Sequence, residues 1–242
     1  DARVSWTPDP DLTAWASVAR AVRIPSRLEA DSSLRVTNAL TSASNISLDT
    51  SGFDSEELVS YQTGLRTYLA RSVLVDLAVF YNDYDNLQSV EGNLSSLENN
   101  TFGESYGGGA SATWQALDWW QFIFNYSYFR MNLEVESGSD GGPAAEGAEE
   151  NDPQNTANVR SHMQVTRTVQ FDAGLRYVDE LSSRGVPEYL VADLRLAWMP
   201  VKDLELAIVG RNLLDNHHPE QPLTGSGSEV ENSVYGKVTW AF

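Results

Sequence analysis

Along most of this chain apolar and polar side chains alternate with a period of two, the repeat of an extended strand whose two faces meet different surroundings. In "DWWQFIFNYSYFRM", Trp120, Phe122, Phe124, Tyr126 and Tyr128 form one face, Gln121, Asn125 and Ser127 the other, and Ile123 is the exception. In "SVLVDLAVFYNDY", Val73, Val75, Leu77, Val79 and Tyr81 oppose Asp76, Asn82 and Tyr84. In "LVADLRLAW", Ala192, Leu194, Leu196 and Trp198 oppose Asp193 and Arg195. The same rule predicts about eleven strands, near 2–7, 12–20, 57–69, 73–86, 103–116, 119–133, 156–166, 169–179, 189–199, 203–213 and 231–242. Helical periodicity is essentially lacking, so the chain reads as all-β.

The connections fall into two alternating classes. Tight ones stand at 8–11, 70–72, 117–118, 167–169 and 199–203, with turn chemistry such as "PDPD". Long ones, near 21–56, 87–102, 134–155, 180–188 and 214–230, are rich in Gly, Ser, Asn and acidic residues. Short turns at one end and long loops at the other are the layout of an antiparallel transmembrane β-barrel. A soluble sandwich also alternates. Aromatic placement favours the barrel: Trp114, Trp119, Trp120, Tyr126, Tyr128, Tyr177, Trp198 and Trp240 gather toward strand ends, as in the girdles at the two membrane interfaces.

Composition narrows the field. No stretch approaches the roughly 20 apolar residues of a transmembrane helix. The 242 residues carry a net charge of −18, which repels a phosphate backbone, so no nucleic-acid partner is expected. Without cysteine there are no disulfides, thiolate metal sites or cysteine nucleophiles. No G-x-S-x-G elbow occurs, and Ser161 and His162, as strand neighbours, point to opposite faces and cannot cooperate. No enzymatic activity and no cofactor are expected. His217 and His218 are likewise adjacent, with Glu220 the only close carboxylate, so no metal site is expected. The acidic run at 134–152 reads as a solvated loop, with divalent-cation bridging to lipopolysaccharide as its functional alternative.

Near the C-terminus stands "VGRNLLDNHHPE", followed by a final strand ending "VTWAF". In the first of these, Asn212, Leu213, Leu214, Asp215, His218, Pro219 and Glu220 resemble the conserved block of TonB-dependent outer-membrane receptors. "WASVARAVRIPS" and "ELVSYQTGLRTYLARSVLVDLAVFYNDYDNL" resemble further segments of that family. The resemblance implies a twenty-two-stranded barrel closed by a plug. It implies import of a scarce ligand, most often a ferric siderophore, across the outer membrane of a Gram-negative bacterium. The energy would come from the TonB-ExbB-ExbD complex, acting through an N-terminal part that this sequence lacks. Residues 1–242 are accordingly expected to be the C-terminal portion of such a barrel, about half of it, without the plug. The final strand, with Trp240 and Phe242 on its apolar face, resembles the targeting signal read by the barrel assembly machinery. A passive porin or adhesin barrel is the alternative; it requires an even strand count and a first strand paired to the last.

If the apolar face meets lipid, Arg66, Asp76, Asn82, Arg160, Arg176, Asp193, Arg195 and Arg211 face the lumen, joined by Gln62, Gln121, Asn125, Gln164, Asp172 and Glu205. Most are expected to pair across strands. His162, between Arg160 and Gln164, belongs to the same face. Asn212 and Asp215 are expected to bond nearby backbone at a corner covered by Leu213 and Leu214, a structural role.

Overall fold

A computed structural model describes residues 1–26, 34–37, 45–48, 54–91, 96–139, 142–221 and 229–241. Eleven strands form one antiparallel sheet in which sequence neighbours are also spatial neighbours. They are β1 (Ala2–Asp9), β2 (Leu12–Arg23), β5 (Glu56–Ala70), β6 (Val73–Glu91), β7 (Ser96–Leu117), β8 (Trp120–Val135), β9 (Asn155–Met163), β10 (Val169–Val178), β11 (Tyr189–Val201), β12 (Leu204–Arg211) and β15 (Ser233–Trp240). The remaining strands form two small ribbons, β3 (Leu34–Thr37) with β4 (Asn45–Leu48) and β13 (His217–Pro219) with β14 (Glu229–Glu231). The sheet is open: β1 and β15 each pair on one side only.

The register carries one face across all eleven strands. Directly opposite residues in an antiparallel pair share a face. Thr13 stands opposite Arg66, Arg66 opposite Asp76, Asp76 opposite Ser111 and Ser111 opposite Asn125. Further along, Gln121 meets His162, His162 meets Asp172 and Asp172 meets Arg195. The apolar set follows the same logic on the other side, so a slip of one residue anywhere would turn a row of Leu and Val onto the polar face. The small buried side chains lie on the polar face, among them Ser60, Ser105, Val191, Ala197, Ala207 and Val209. This crowding is that of a sheet curled toward its polar side. The other face leaves Val18, Leu77, Val79, Leu196, Ile208 and Val238 exposed.

Two aromatic rows bracket the exposed apolar band. Near the tight turns stand Trp6, Trp114, Trp120, Trp198 and Trp240, with Trp114 and Phe122 stacked at 5.5 Å. Toward the long connections Tyr61, Tyr81 and Tyr106 sit abreast on β5, β6 and β7. From Trp114 to Tyr106 the strand climbs about 27 Å, or about 20 Å of height at the tilt usual in barrels.

Two expectations need correction. The connection expected at 87–102 is largely strand, since β6 runs on to Glu91 and β7 begins at Ser96. Past the tyrosine row both faces are polar, and alternation vanishes although pairing continues. The acidic connection at 134–155 contains a helix, α1 (Gly142–Glu149), packed on β8. Its "GPAAEGAE" places Pro143 in the first turn, where a missing N–H costs nothing, and good helix formers after it. The Glu149 carboxylate accepts the Leu133 N–H and ties the helix to the strand.

Candidate functional site

Two constellations gather the polar side chains. The first is a ladder across β9 to β12. Arg195 donates to Asp172 at 2.8 Å and lies 2.7 Å from Glu205, bridging its neighbours on both sides. Asp172 also meets His162 Nδ1 at 2.9 Å and accepts from Gln170 at 2.9 Å. Four strands are thus laced by one chain of charge-assisted contacts. Beside it a shallow cavity of ≈ 230 Å³ is lined by Arg160, Asp193 and Arg211 together with His162, Asp172 and Arg195 of the ladder, with Gly174 leaving a gap between Arg160 and Asp193. Arg160 has no ion pair among the described residues. Arg211 lies 5.8 Å from the Tyr235 ring.

The second constellation stands where β12 leaves the sheet. Asn212 takes a left-handed backbone (φ 53), which asparagine tolerates better than most residues. Its N–H donates to the Asp193 carboxylate at 3.0 Å and its side-chain amide to the Val230 carbonyl at 3.1 Å. Asp215 accepts the His217 N–H at 3.3 Å, and the Leu213 N–H donates to the Ala192 carbonyl at 2.9 Å. Leu213 covers Gly210, where a Cβ would come within 3.0 Å of it, while Leu214 stays exposed. His218, in β13 next to the corner, is buried, and its ring stacks on Tyr189 at 4.2 Å. His217 is exposed and 3.7 Å from Glu229. Arg176 donates to Glu220 at 2.8 Å and lies over the Tyr189 ring, so it joins β10 to the segment after Pro219. That guanidinium holds the Glu220 carboxyl below the usual carboxylate range.

Of the remaining residues singled out from the sequence, Arg66 donates to Asp76 at 2.6 Å across β5 and β6. Asn82 donates to Ser105 at 3.1 Å. Trp240 lies exposed on the apolar face of β15, opposite Leu204, and Phe242 falls outside the described residues. Ser161 accepts from Trp120 Nε1 on the apolar face while His162 meets Asp172 on the polar one, so the two face apart. Pattern reading missed the aromatic part of the polar face. Trp15 lies flat over Gly64 with Arg3 4.7 Å above it, and Phe80 stacks with Phe129 at 6.3 Å. The glycines opposite these rings, Gly64 and Gly107, were the available signal.

These constellations sit on a single continuous sheet with one apolar and one polar face. The family model "TonB dependent receptor-like, beta-barrel" matches residues 2–213. The chain belongs to this family. Among solved structures, the TonB-dependent receptor fold here is similar to the siderophore receptor PiuA from Acinetobacter baumannii, with a TM-score of 0.74 at 17% identity. It is similar also to a mutant of the ferric enterobactin receptor PfeA from Pseudomonas aeruginosa, at 0.67 and 19%. A third is the copper transporter OprC, at 0.71 and 14%. These matches cover 98%, 99% and 99% of this chain but 35%, 39% and 39% of those chains. At such identities they show the fold. No curated protein sequence matches the chain. At the Asn212 to Pro219 corner of this TonB-dependent receptor barrel, the Asn212 amide and the Asp215 carboxylate are already bonded to backbone, while Asn212 Oδ1 and His218 Nε2 are buried without a hydrogen-bond partner among the described residues.

Proposed function

We propose that this chain forms part of the barrel wall of an outer-membrane receptor of a Gram-negative bacterium. In this reading it imports a scarce ligand, a ferric siderophore or similar iron complex, on energy delivered through the TonB-ExbB-ExbD complex. The observation that carries it is the two-faced sheet: an exposed apolar band between rows of Trp and Tyr on one side, and a charge-laced polar face on the other. Lipid then covers the first face. Arg66, Asp76, Asn82, Arg160, Arg176, Asp193, Arg195 and Arg211 line the lumen on the second. Residues 1–242 act as the C-terminal portion of the barrel, with the plug contributed by another part of the protein. Trp240 and Phe242 offer the assembly machinery an aromatic last strand. The ligand class is supported by similarity to proteins named as siderophore and ferric enterobactin receptors, and OprC marks copper as the rival cargo.

Uptake of a radiolabelled ferric siderophore by iron-starved cells tests this. Cells lacking the gene, or lacking TonB, are expected to lose accumulation, and the full-length gene to restore it. Accumulation that survives loss of TonB would make the protein a passive pore. Loss of copper uptake with iron uptake intact would correct the cargo.

A further inference from the structure

Where β7 reads Tyr106-Gly107-Gly108-Gly109-Ala110, the sheet is stripped of side chains and a groove of ≈ 560 Å³ opens on the apolar face. Gly108 and Ala110 form its floor; Leu77, Val79, Tyr126 and Tyr128 form its walls. Its volume is in the range of small-ligand sites, about 300–1,000 Å³. The groove lies inside the band, on the side of the tyrosine row. At that end Tyr106 stands directly opposite Arg130. Arg130 is exposed and has no ion pair among the described residues. Arg20, the other described strand cation on this face, is held by Glu57 at 2.5 Å. Glu104, the carboxylate nearest along β7, already accepts from Tyr81 at 2.6 Å and Asn132 at 3.3 Å. An oily trough therefore ends at one uncommitted guanidinium on a chain whose net charge is −18.

The geometry points to a lipid site, in which an acyl chain lies along Gly108 and Ala110 and Arg130 holds the phosphate of that lipid's headgroup. It rests on the reading that this face meets the membrane. The guanidinium fork matches a phosphate's paired oxygens. The missing side chains let a hydrocarbon tail approach the backbone where neighbouring strands would hold it off. A Cβ on Gly108 itself would come within 2.9 Å of the Ala78 carbonyl, so the groove is better filled from Ala110.

Native mass spectrometry of the full-length protein, solubilised from outer membranes and titrated with phosphatidylglycerol or with diacylglycerol, reads this site. The wild type is expected to retain both lipids, with phosphatidylglycerol preferred. Ala110→Phe should lower occupancy by either lipid on the order of tenfold. Arg130→Gln should leave diacylglycerol bound and cut the preference for the phosphate lipid by about twofold to fivefold. Lys202→Gln, which removes a charge at the far turn, should change neither. Arg130→Gln is a surface change and keeps the test open if Ala110→Phe does not fold. Unchanged occupancy in Ala110→Phe, or an unchanged lipid preference in Arg130→Gln, overturns the site. A dimer that Ala110→Phe dissolves would give the groove to a second copy of the chain and overturn it too. A protein that never enters the outer membrane refutes the receptor reading itself, whereas one that enters and shows no lipid preference refutes this site alone.

Discussion

The polar face is built in two ways. Across β9 to β12 it is an ion ladder: His162, Asp172, Arg195 and Glu205 lean on one another, and side-chain contacts add to the backbone pairing between strands. Across β6 to β8 it is nearly bare of charge. There Gly107, paired with both Phe80 and Phe129, lets the Phe80 ring lie down on the sheet, and Ser105 is fully buried between Asn82 and Tyr84. One half depends on having the right charges, the other on having no side chain at all. The two halves should therefore fail differently.

The largest effect is expected from Gly107→Val. Its Cβ would run into the Tyr128 carbonyl and the Phe80 ring, so neither rotamer changes nor salt can relieve it. A loss at the upper end of about 1–3 kcal/mol should appear as a lower unfolding temperature of the detergent-solubilised full-length protein. Next comes Arg195→Met, which leaves the partly buried Asp172 and Glu205 carboxylates without their cation. About 1 kcal/mol is expected, allowing for remaining solvent screening. Adding Asp172→Asn should recover part of it, and a double-mutant cycle with no coupling would dissolve the ladder as a unit. Arg66→Met breaks a far more exposed pair, and its effect should be small and vanish in high salt.

The smallest effect concerns pH. Arg176 depresses the Glu220 carboxyl, so the contact's contribution is complete above the carboxyl's unfolded-state range and is lost as pH falls through the folded value. Protection of the amides around Pro219, relative to their intrinsic exchange rates, should fall on acidification in the wild type and not in Glu220→Gln. Equal acid response in both would place the sensitivity elsewhere.

The eleven strands and their facing were legible because most of the paired segments have contrasting sides, with Leu, Val and Tyr at alternate positions of strands such as β6 and β11. The upper parts of β6 and β7 were not, because "NLQSVE" and "SLENNT" are polar on both sides and carry no period. Nor was α1, whose alanines and glutamates sit inside an acidic run that resembles a solvated loop. Of the corner, Asn212 and Asp215 were readable as turn formers. The stacking of His218 on Tyr189 was not, since 29 residues of sequence separate them and only the pairing of β11 with β12 brings them together. Register, rather than residue type, decides such contacts.

The unequal heights of the strands have a mechanical meaning. From Tyr106 back to Ser96, β7 continues for roughly 33 Å beyond the tyrosine row, bonded to β6 on one side and over part of that length to β8 on the other. A ribbon joined this way bends as a plate and not as a string. A load applied near Ser96 would reach the aromatic row as torque, past Asn86, whose left-handed backbone beside the register shifts of β6 is pinned by Asp85 and by the Asn99 amide.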